Sequence, residues 1–235
     1  MNTSSHLSEN LALLAHETTE LVRTASGLDD DALSGASLCE GWTRAHVLSH
    51  ITRNADGLGN LVSWATTGVP RAMYASPEAR DADIAIGASH GAQVILADLE
   101  DSAARFADAA KGLSGAPEQA EVEMRHGRTV LGGQLPTVRL MEVVIHHVDL
   151  DAGYTFADSD PGFVRRAVGI SVERMKPVGQ APSVTLCGAE GDTWTIGDGA
   201  QVVTGSNAAL LSWLTRGRAA GVFSDAPLPA LPSWG

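Results

Sequence analysis

The sequence contains little cysteine, and this scarcity limits the kinds of site it can build. Its two cysteines, Cys39 and Cys187, stand far apart, and neither belongs to a CxxC motif. A disulfide framework and a thiolate metal cluster are therefore not expected. Any metal site in this chain is expected to use nitrogen and oxygen ligands.

Basic residues and long apolar runs are also scarce. The 235 residues include 16 Lys and Arg against 28 Asp and Glu, a net charge of -12, which disfavours nucleic acid and anionic membranes as partners. No apolar run approaches the roughly 20 residues of a membrane span, and the opening MNTSSHLSEN is polar and unlike a signal peptide. We expect a cytoplasmic protein, and a monomer, although no sequence feature reports directly on oligomeric state.

The composition is that of a folded protein, with 44% hydrophobic and 19% charged residues. Its length allows one large domain or two small ones. Because the pattern changes from helical to mixed near Pro161, we predict an α+β fold with two domains. Residues 1–155 would form a four-helix bundle, and residues 156–235 a smaller α+β domain.

Helical spacing of apolar residues predicts four helices in the first domain. Thr43 and Ser76 are expected as N-caps, and Gly87 and Gly91 would loosen the middle of the third, long helix. A small hairpin with a two-residue turn at His126-Gly127 is expected before the fourth helix. The predicted helices cover residues 5–26, 44–68, 77–113 and about 137–151, and the hairpin strands cover 122–125 and 128–131.

The second domain is predicted to contain two helices and three strands. Residues 162–179 follow helical spacing, while residues 182–188, 192–199 and 200–205 alternate in the manner of strands between glycine-rich turns. The last helix is expected to begin after Ser206.

The segment MEVVIHH places Glu142 four residues before His146, so both lie on one face of the fourth helix. A carboxylate among apolar residues is costly to bury unless a positive partner lies beside it. Catalytic zinc sites use three protein ligands and leave one position open. His50, in an apolar part of the second helix, is the predicted third ligand.

Simpler interpretations of these residues remain open at this stage. A single buried histidine is more often hydrogen-bonded in the core, and a glutamate four residues before a histidine is an ordinary helix pair. His46 is a rival to His50 but stands near the helix start. His147 points about 100 degrees away from His146, so the two cannot easily bind one ion.

Three further side chains have both a structural and a functional interpretation. Cys39 is expected to be a packed thiol rather than a nucleophile, because no base is implied beside it. Arg216 and Arg218 favour a helix C-terminus, but either would also suit a substrate carboxylate.

Several motifs in order resemble one family. CEGWTRAHVLSH, YASPEAR, GRTV and MEVVIHHVDL, which cover most of residues 40–151, are similar to the mycothiol-dependent maleylpyruvate isomerases, within the DinB-like metal-binding bundles. Beyond residue 155 the similarity is looser and rests mainly on GRAAGV. The resemblance implies that the N-terminal domain is a DinB-like four-helix bundle.

The resemblance also implies the chemistry. Zn2+ would be held by His50, Glu142 and His146, and mycothiol would bind there as a thiolate. The thiolate would add to maleylpyruvate, the former double bond would rotate, and elimination would leave fumarylpyruvate, a step of the gentisate pathway of aromatic degradation. Arg218 would bind a substrate carboxylate and stabilise the enolate. Arg80 is a second substrate-binding candidate, unless it only pairs with Asp81 or Glu78.

Two other functions remain open on sequence alone. A zinc- and mycothiol-dependent S-transferase would keep the metal and the thiol but act on another electrophile. A non-catalytic metal-binding module would have a closed site, with His46 or His147 as the fourth ligand. Two histidines and one carboxylate also suit ferrous iron and manganese, so the metal is undecided.

Overall fold

Apolar residues at helical spacing form helices throughout the first part of the chain. The computed structural model describes residues 3–179 and 181–232. Its contacts separate a unit that ends at Gly153 from one that starts at Tyr154. The helices of the first unit are α1 (Thr3–Ser26), α2 (Asp30–Ser34), α3 (Arg44–Thr67), α4 (Pro77–Ala88), α5 (Ala92–Ala110) and α6 (Leu135–Asp149).

Helix α3 is the centre of this unit. It packs against α4, α5 and α6, while α1 covers α6 and part of α5. Leu48, Ile51 and Leu58 of α3 are almost fully buried between these neighbours. Burial of each such side chain contributes about 1.5–3 kcal/mol, so the apolar stripe read from the sequence is the core of the unit.

The prediction of one long third helix is wrong, because the chain forms two helices in this region, α4 and α5. Ser89 ends α4, and Gly91 is the N-cap residue of α5. Asp30 stabilises the break, since its carboxylate accepts a hydrogen bond from the backbone N–H of Ala92 at 2.6 Å. This contact comes from a distant part of the chain, so local spacing did not reveal it.

Gly87 has a packing role rather than the loosening role that we predicted. A Cβ atom at this position would lie 2.3 Å from Oγ of Ser49. The missing side chain therefore lets α4 approach α3 closely. Ser49 uses this proximity to donate a hydrogen bond to the carbonyl of Ile84 at 2.8 Å.

The predicted hairpin is present, with a longer connection. Strands β1 (Glu121–Glu123) and β2 (Thr129–Leu131) are antiparallel, with Val122 opposite Val130. Their connection contains a short 3₁₀ turn at Arg125–Gly127 instead of a two-residue turn. A short 3₁₀ turn, Gly132–Gln134, connects the hairpin to α6.

The second unit contains helices on a mixed sheet. Its elements are α7 (Pro161–Met175), β3 (Val184–Gly188), β4 (Thr193–Ile196), β5 (Gln201–Gly205), α8 (Asn207–Arg216) and β6 (Val222–Phe223). The sheet order is β4-β3-β5-β6, with β3 and β5 parallel and the other pairs antiparallel. Helices α7 and α8 pack together, and Phe163 and Trp213 are buried there.

The α+β class with a helical N-terminal region is confirmed. That the chain has two domains divided after residue 155 stays a prediction. None of the helices in the described residues has the length and apolar character that crossing a membrane requires.

Candidate metal centre

Helix α3 brings His50 into the interior of the first unit. Thr43 is its N-cap, as predicted, and accepts a hydrogen bond from the backbone N–H of His46. His50 follows nearly two turns later on the buried side, and its side chain is only 7% exposed. The cap therefore sets where the helix starts.

Helix α6 supplies Glu142 and His146 one turn apart on the face toward α3. Nε2 of His50 lies 3.2 Å from Oε2 of Glu142 and 3.1 Å from Nε2 of His146. Nε2 of His146 lies 3.7 Å from the same glutamate oxygen. The structure thus brings together all three predicted ligands, with one donor atom of each inside 4.8 Å of the others.

The spacing of these donor atoms fits a small divalent cation. In a tetrahedral site with bonds of about 2.0–2.2 Å, neighbouring ligand atoms lie roughly 3.3–3.6 Å apart. The three observed distances, 3.1, 3.2 and 3.7 Å, lie close to that range. Two imidazole nitrogens and one carboxylate oxygen are also a donor set that zinc, iron and manganese accept.

The pKa values of His50 and Glu142 favour the protonation states that bind a metal cation. Burial, followed by the charge of His146, lowers the pKa of His50 to about 4. Burial raises the pKa of Glu142, but the hydrogen bond with His50 and the charges of His50, His146 and Arg139 outweigh it, and the pKa lies at about 2. At neutral pH, His50 is a neutral imidazole and Glu142 is ionised, the forms that bind metal.

Asp149 orients the ring of His146 through a contact with its Nδ1 atom. Its carboxylate is fully buried, and Oδ2 accepts a hydrogen bond from Nδ1 of His146 at 2.8 Å. With the proton on Nδ1, Nε2 keeps its lone pair directed toward His50 and Glu142. Cys39 donates its thiol hydrogen to the same Asp149 oxygen at 3.3 Å, so it is a partner of this carboxylate rather than an isolated packed thiol.

Replacing Asp149 with asparagine is expected to weaken metal binding by about 10–100-fold, because His146 loses the carboxylate that holds its ring and tautomer. Competition with a calibrated chelator measures this affinity without using activity. Cys39→Ala is the control, since it removes another partner of Asp149 and leaves the contact between Asp149 and His146. Unchanged affinity in Asp149→Asn would show that Asp149 does not position this ligand.

The sequence and the fold are similar to those of known proteins. Residues 14–151 match the family described as Mycothiol maleylpyruvate isomerase N-terminal domain. The chain belongs to this family. The crystal structure of a mycothiol-dependent maleylpyruvate isomerase, and that of a histidine-to-alanine mutant of it, each match with a TM-score of 0.91, 32% identity and 97% of both chains covered. No curated protein matches the chain.

In this family member, the two other histidines of α3 and α6 lie outside the cluster. Nδ1 of His46 lies 2.7 Å from Oγ1 of Thr43, where the ring takes part in the helix cap. His147 is fully buried, and its Nε2 lies 2.7 Å from Oγ1 of Thr24 in α1. Neither occupies a fourth ligand position, so the closed site of a non-catalytic module gains no support.

Arg80 lies beside the cluster, and its substrate-binding role stays a prediction. Its Nη1 pairs with Asp81 at 2.6 Å, which is the structural role that we considered. Its Nη2 is also placed to donate to Nδ1 of His50 at 3.1 Å. The side chain is only 12% exposed, so Arg80 combines an ion pair with direct contact to a candidate ligand.

Arg216 and Arg218 lie at the end of α8 in the second unit. Arg216 is the last residue of the helix and donates to the carbonyl of Thr215 at 2.7 Å. Gly217 ends the helix in the left-handed conformation, with φ of 66°, and Arg218 follows on an exposed loop. The substrate role assigned to Arg218 stays a prediction.

Sequence reasoning did not single out two aromatic neighbours of the cluster. The ring of Trp42 lies 5.4 Å from that of His50, and the guanidinium of Arg80 lies 5.8 Å from the ring centre of Tyr74. Burial, followed by the charge of Glu142, raises the pKa of Tyr74. Both residues lie in motifs that carry the family resemblance. Their place in these motifs is the sequence signal that could have identified them.

Proposed function

We propose that this protein is a mycothiol-dependent maleylpyruvate isomerase whose metal is held by His50, Glu142 and His146. The observation that carries the proposal is the convergence of these three donor atoms in a chain that belongs to the isomerase family. The related crystal structures, which cover almost the whole chain, favour the isomerase over the S-transferase. No described contact favours the transferase.

The proposed cofactors are Zn2+ and mycothiol. Held by His50, Glu142 and His146, the cation would lower the pKa of the thiol, and the thiol would supply the nucleophile for the isomerisation. Iron and manganese are the other metals that this donor set suits. The reaction moves no electrons to an external acceptor, so it requires no redox cofactor.

The side chains of the cluster and their neighbours keep the candidate metal ligands in the required orientation and protonation state. Asp149 keeps Nε2 of His146 free for the metal, and the low pKa of His50 and Glu142 keeps both in their binding forms at neutral pH. Glu142 is 29% exposed, whereas His50 and His146 are 7% and 14% exposed. The cluster therefore has an accessible side, as a site with an open ligand position requires.

Arg80 is the proposed anchor for a substrate carboxylate within the first unit. Because arginine only donates, its contact with Nδ1 of His50 needs a lone pair on that nitrogen. If a metal were held at Nε2 of His50, the ring proton would lie on Nδ1, and Arg80 would lose this acceptor and be available to a substrate carboxylate. Arg218 is proposed as the second anchor and as the group that stabilises the enolate.

The direct test is the ultraviolet change of maleylpyruvate when the purified, metal-loaded protein is added with and without mycothiol. We expect conversion to fumarylpyruvate only when the thiol is present. The His50→Ala protein is the matched control and should give no conversion with thiol. A loaded protein that leaves maleylpyruvate unchanged but conjugates the thiol to another electrophile would identify the S-transferase instead.

The cytoplasmic location, the monomeric state and the place in the gentisate pathway stay predictions. Size-exclusion chromatography with light scattering measures the oligomeric state directly.

A further inference from the structure

A cavity lies in the first unit, between the loop that follows α3 and the end of strand β1. Its volume is about 460 Å³, within the range of about 300–1,000 Å³ typical of small-molecule sites. Trp64 of α3 and Tyr74 of the loop line one side, and Arg125 of the hairpin lines the other. The three candidate metal ligands do not belong to its lining, so the cavity is a separate space.

Tyr74 connects this cavity to the candidate metal centre. Its ring centre lies 5.8 Å from the guanidinium carbon of Arg80, and Nη2 of Arg80 lies 3.1 Å from Nδ1 of His50. The charge of Glu142 also reaches the tyrosine, since it contributes, after burial, to the raised pKa of Tyr74. Two successive contacts therefore link the lining of the cavity to a candidate ligand.

The wall that carries Tyr74 is held against α3. Nδ2 of Asn60 donates a hydrogen bond to the carbonyl of Met73 at 3.3 Å. Gly57 allows the loop to approach this closely, because a Cβ atom there would lie 2.9 Å from Cε1 of Tyr74. Met73 is buried, whereas Tyr74 keeps part of its surface exposed. The loop therefore presents Tyr74 to the cavity from an anchored position.

The lining combines aromatic rings with charged side chains of both signs. Arg71 and Arg125 are exposed, and no ion pair between described residues includes either of them. Glu123 belongs to the same lining and is also exposed. Aromatic rings cover the apolar faces of sugar rings, guanidinium groups donate to hydroxyl oxygens, and a carboxylate accepts from hydroxyl hydrogens. This lining suits a neutral polyhydroxylated molecule, whereas Glu123 would repel a dianion.

We propose that this cavity binds the pseudodisaccharide of mycothiol, with the cysteinyl thiol directed toward the candidate metal centre. The inference rests on the proposed function, because it takes mycothiol as the thiol cofactor. Mycothiol is an N-acetylcysteine joined by an amide to glucosamine, which is linked to inositol, so its thiol and its neutral polyol lie at opposite ends. Trp64 and Tyr74 cover the faces of the rings. Arg71, Arg125 and Glu123 bind the hydroxyl groups.

Titration calorimetry on the metal-loaded full chain compares mycothiol with N-acetylcysteinamide, which keeps the thiol and lacks the sugar rings. We expect mycothiol to bind more tightly by about tenfold or more, because its hydroxyl groups form hydrogen bonds with charged side chains. N-acetylglucosaminyl-inositol, which lacks the thiol, is expected to compete with mycothiol. Equal affinity for mycothiol and N-acetylcysteinamide would overturn the proposal.

Arginine variants test the location of the sugar rings. Arg125→Ala is expected to weaken mycothiol binding by about tenfold, with unchanged metal content and unchanged affinity for N-acetylcysteinamide. Arg128→Ala is the matched control, since Arg128 is an exposed arginine of the same hairpin that does not line the cavity. Circular dichroism verifies that the variants fold. Wild-type affinity for mycothiol in folded Arg125→Ala and Arg71→Ala proteins would place the rings elsewhere and contradict the proposal.

These outcomes separate the sugar site from the proposed function. Thiol-dependent conversion of maleylpyruvate, together with unchanged mycothiol affinity in the variants, would leave the isomerase proposal intact and overturn only the sugar site. Failure of mycothiol to bind the loaded protein would refute the proposed cofactor and the sugar site together.

Discussion

Replacing His50 with alanine is expected to abolish metal binding and isomerase activity while the helices remain folded. The variant removes one of three candidate ligands, and a bound metal contributes several kcal/mol to reactions of this kind. Since about 1.4 kcal/mol corresponds to a tenfold change in rate, we expect a loss of roughly a thousandfold or more. Metal analysis, far-ultraviolet circular dichroism and the maleylpyruvate assay measure the three effects separately.

His46→Ala is the matched control for this variant. His46 stands one turn earlier on α3, and its ring contacts Thr43 at the helix cap rather than the cluster. This variant is expected to lose some helix stability, about 0.5–2 kcal/mol, and to keep its metal. Full activity in a metal-free His50→Ala protein would refute the proposed metal centre.

Replacing Arg218 with alanine is expected to lower turnover by about 100-fold to 1,000-fold while metal content stays at the wild-type level. The physical reason is the loss of a cation that stabilises negative charge developing on the substrate. Steady-state kinetics on the loaded variant, together with metal analysis, separate this effect from loss of the metal. The side chain is on an exposed loop, so the variant should fold normally.

Arg216→Ala is the comparison that decides between the two arginines of this segment. Arg216 ends α8 and donates to a backbone carbonyl, so its loss should mainly affect the helix end. An unchanged rate in Arg218→Ala, combined with a large loss in Arg216→Ala, would move the anion-binding role to Arg216. Unchanged rates in both would leave Arg80 as the candidate anchor.

The candidate ligands could be identified from sequence because the signal for two of them is local. Glu142 and His146 share a helix face by spacing alone, and the cost of burying a carboxylate points to a positive partner. The third ligand required the additional assumption that the second and fourth predicted helices face each other. The family resemblance supported that assumption, and the contacts of α3 with α6 agree with it.

Contacts between distant segments could not be predicted in the same way. The spacing of Asp149 from His146 fits a shared helix face, but its burial and its second partner, Cys39, depend on how the loop before α3 folds back. The contact of Arg80 with His50 depends on the close approach of α4 to α3. The break between α4 and α5 depends on Asp30, more than 60 residues away.

The sequence by itself determined the helical N-terminal region, the principal helix caps and the pair of candidate ligands on one face, since each follows from spacing over a few residues. Only the tertiary structure decided which neighbouring side chains contact those candidate ligands. It also decided that Arg139 is buried with its Nη1 bonded to α3, and that Arg80 contacts His50. These are through-space properties, because they depend on how closely helices that are distant in sequence approach one another.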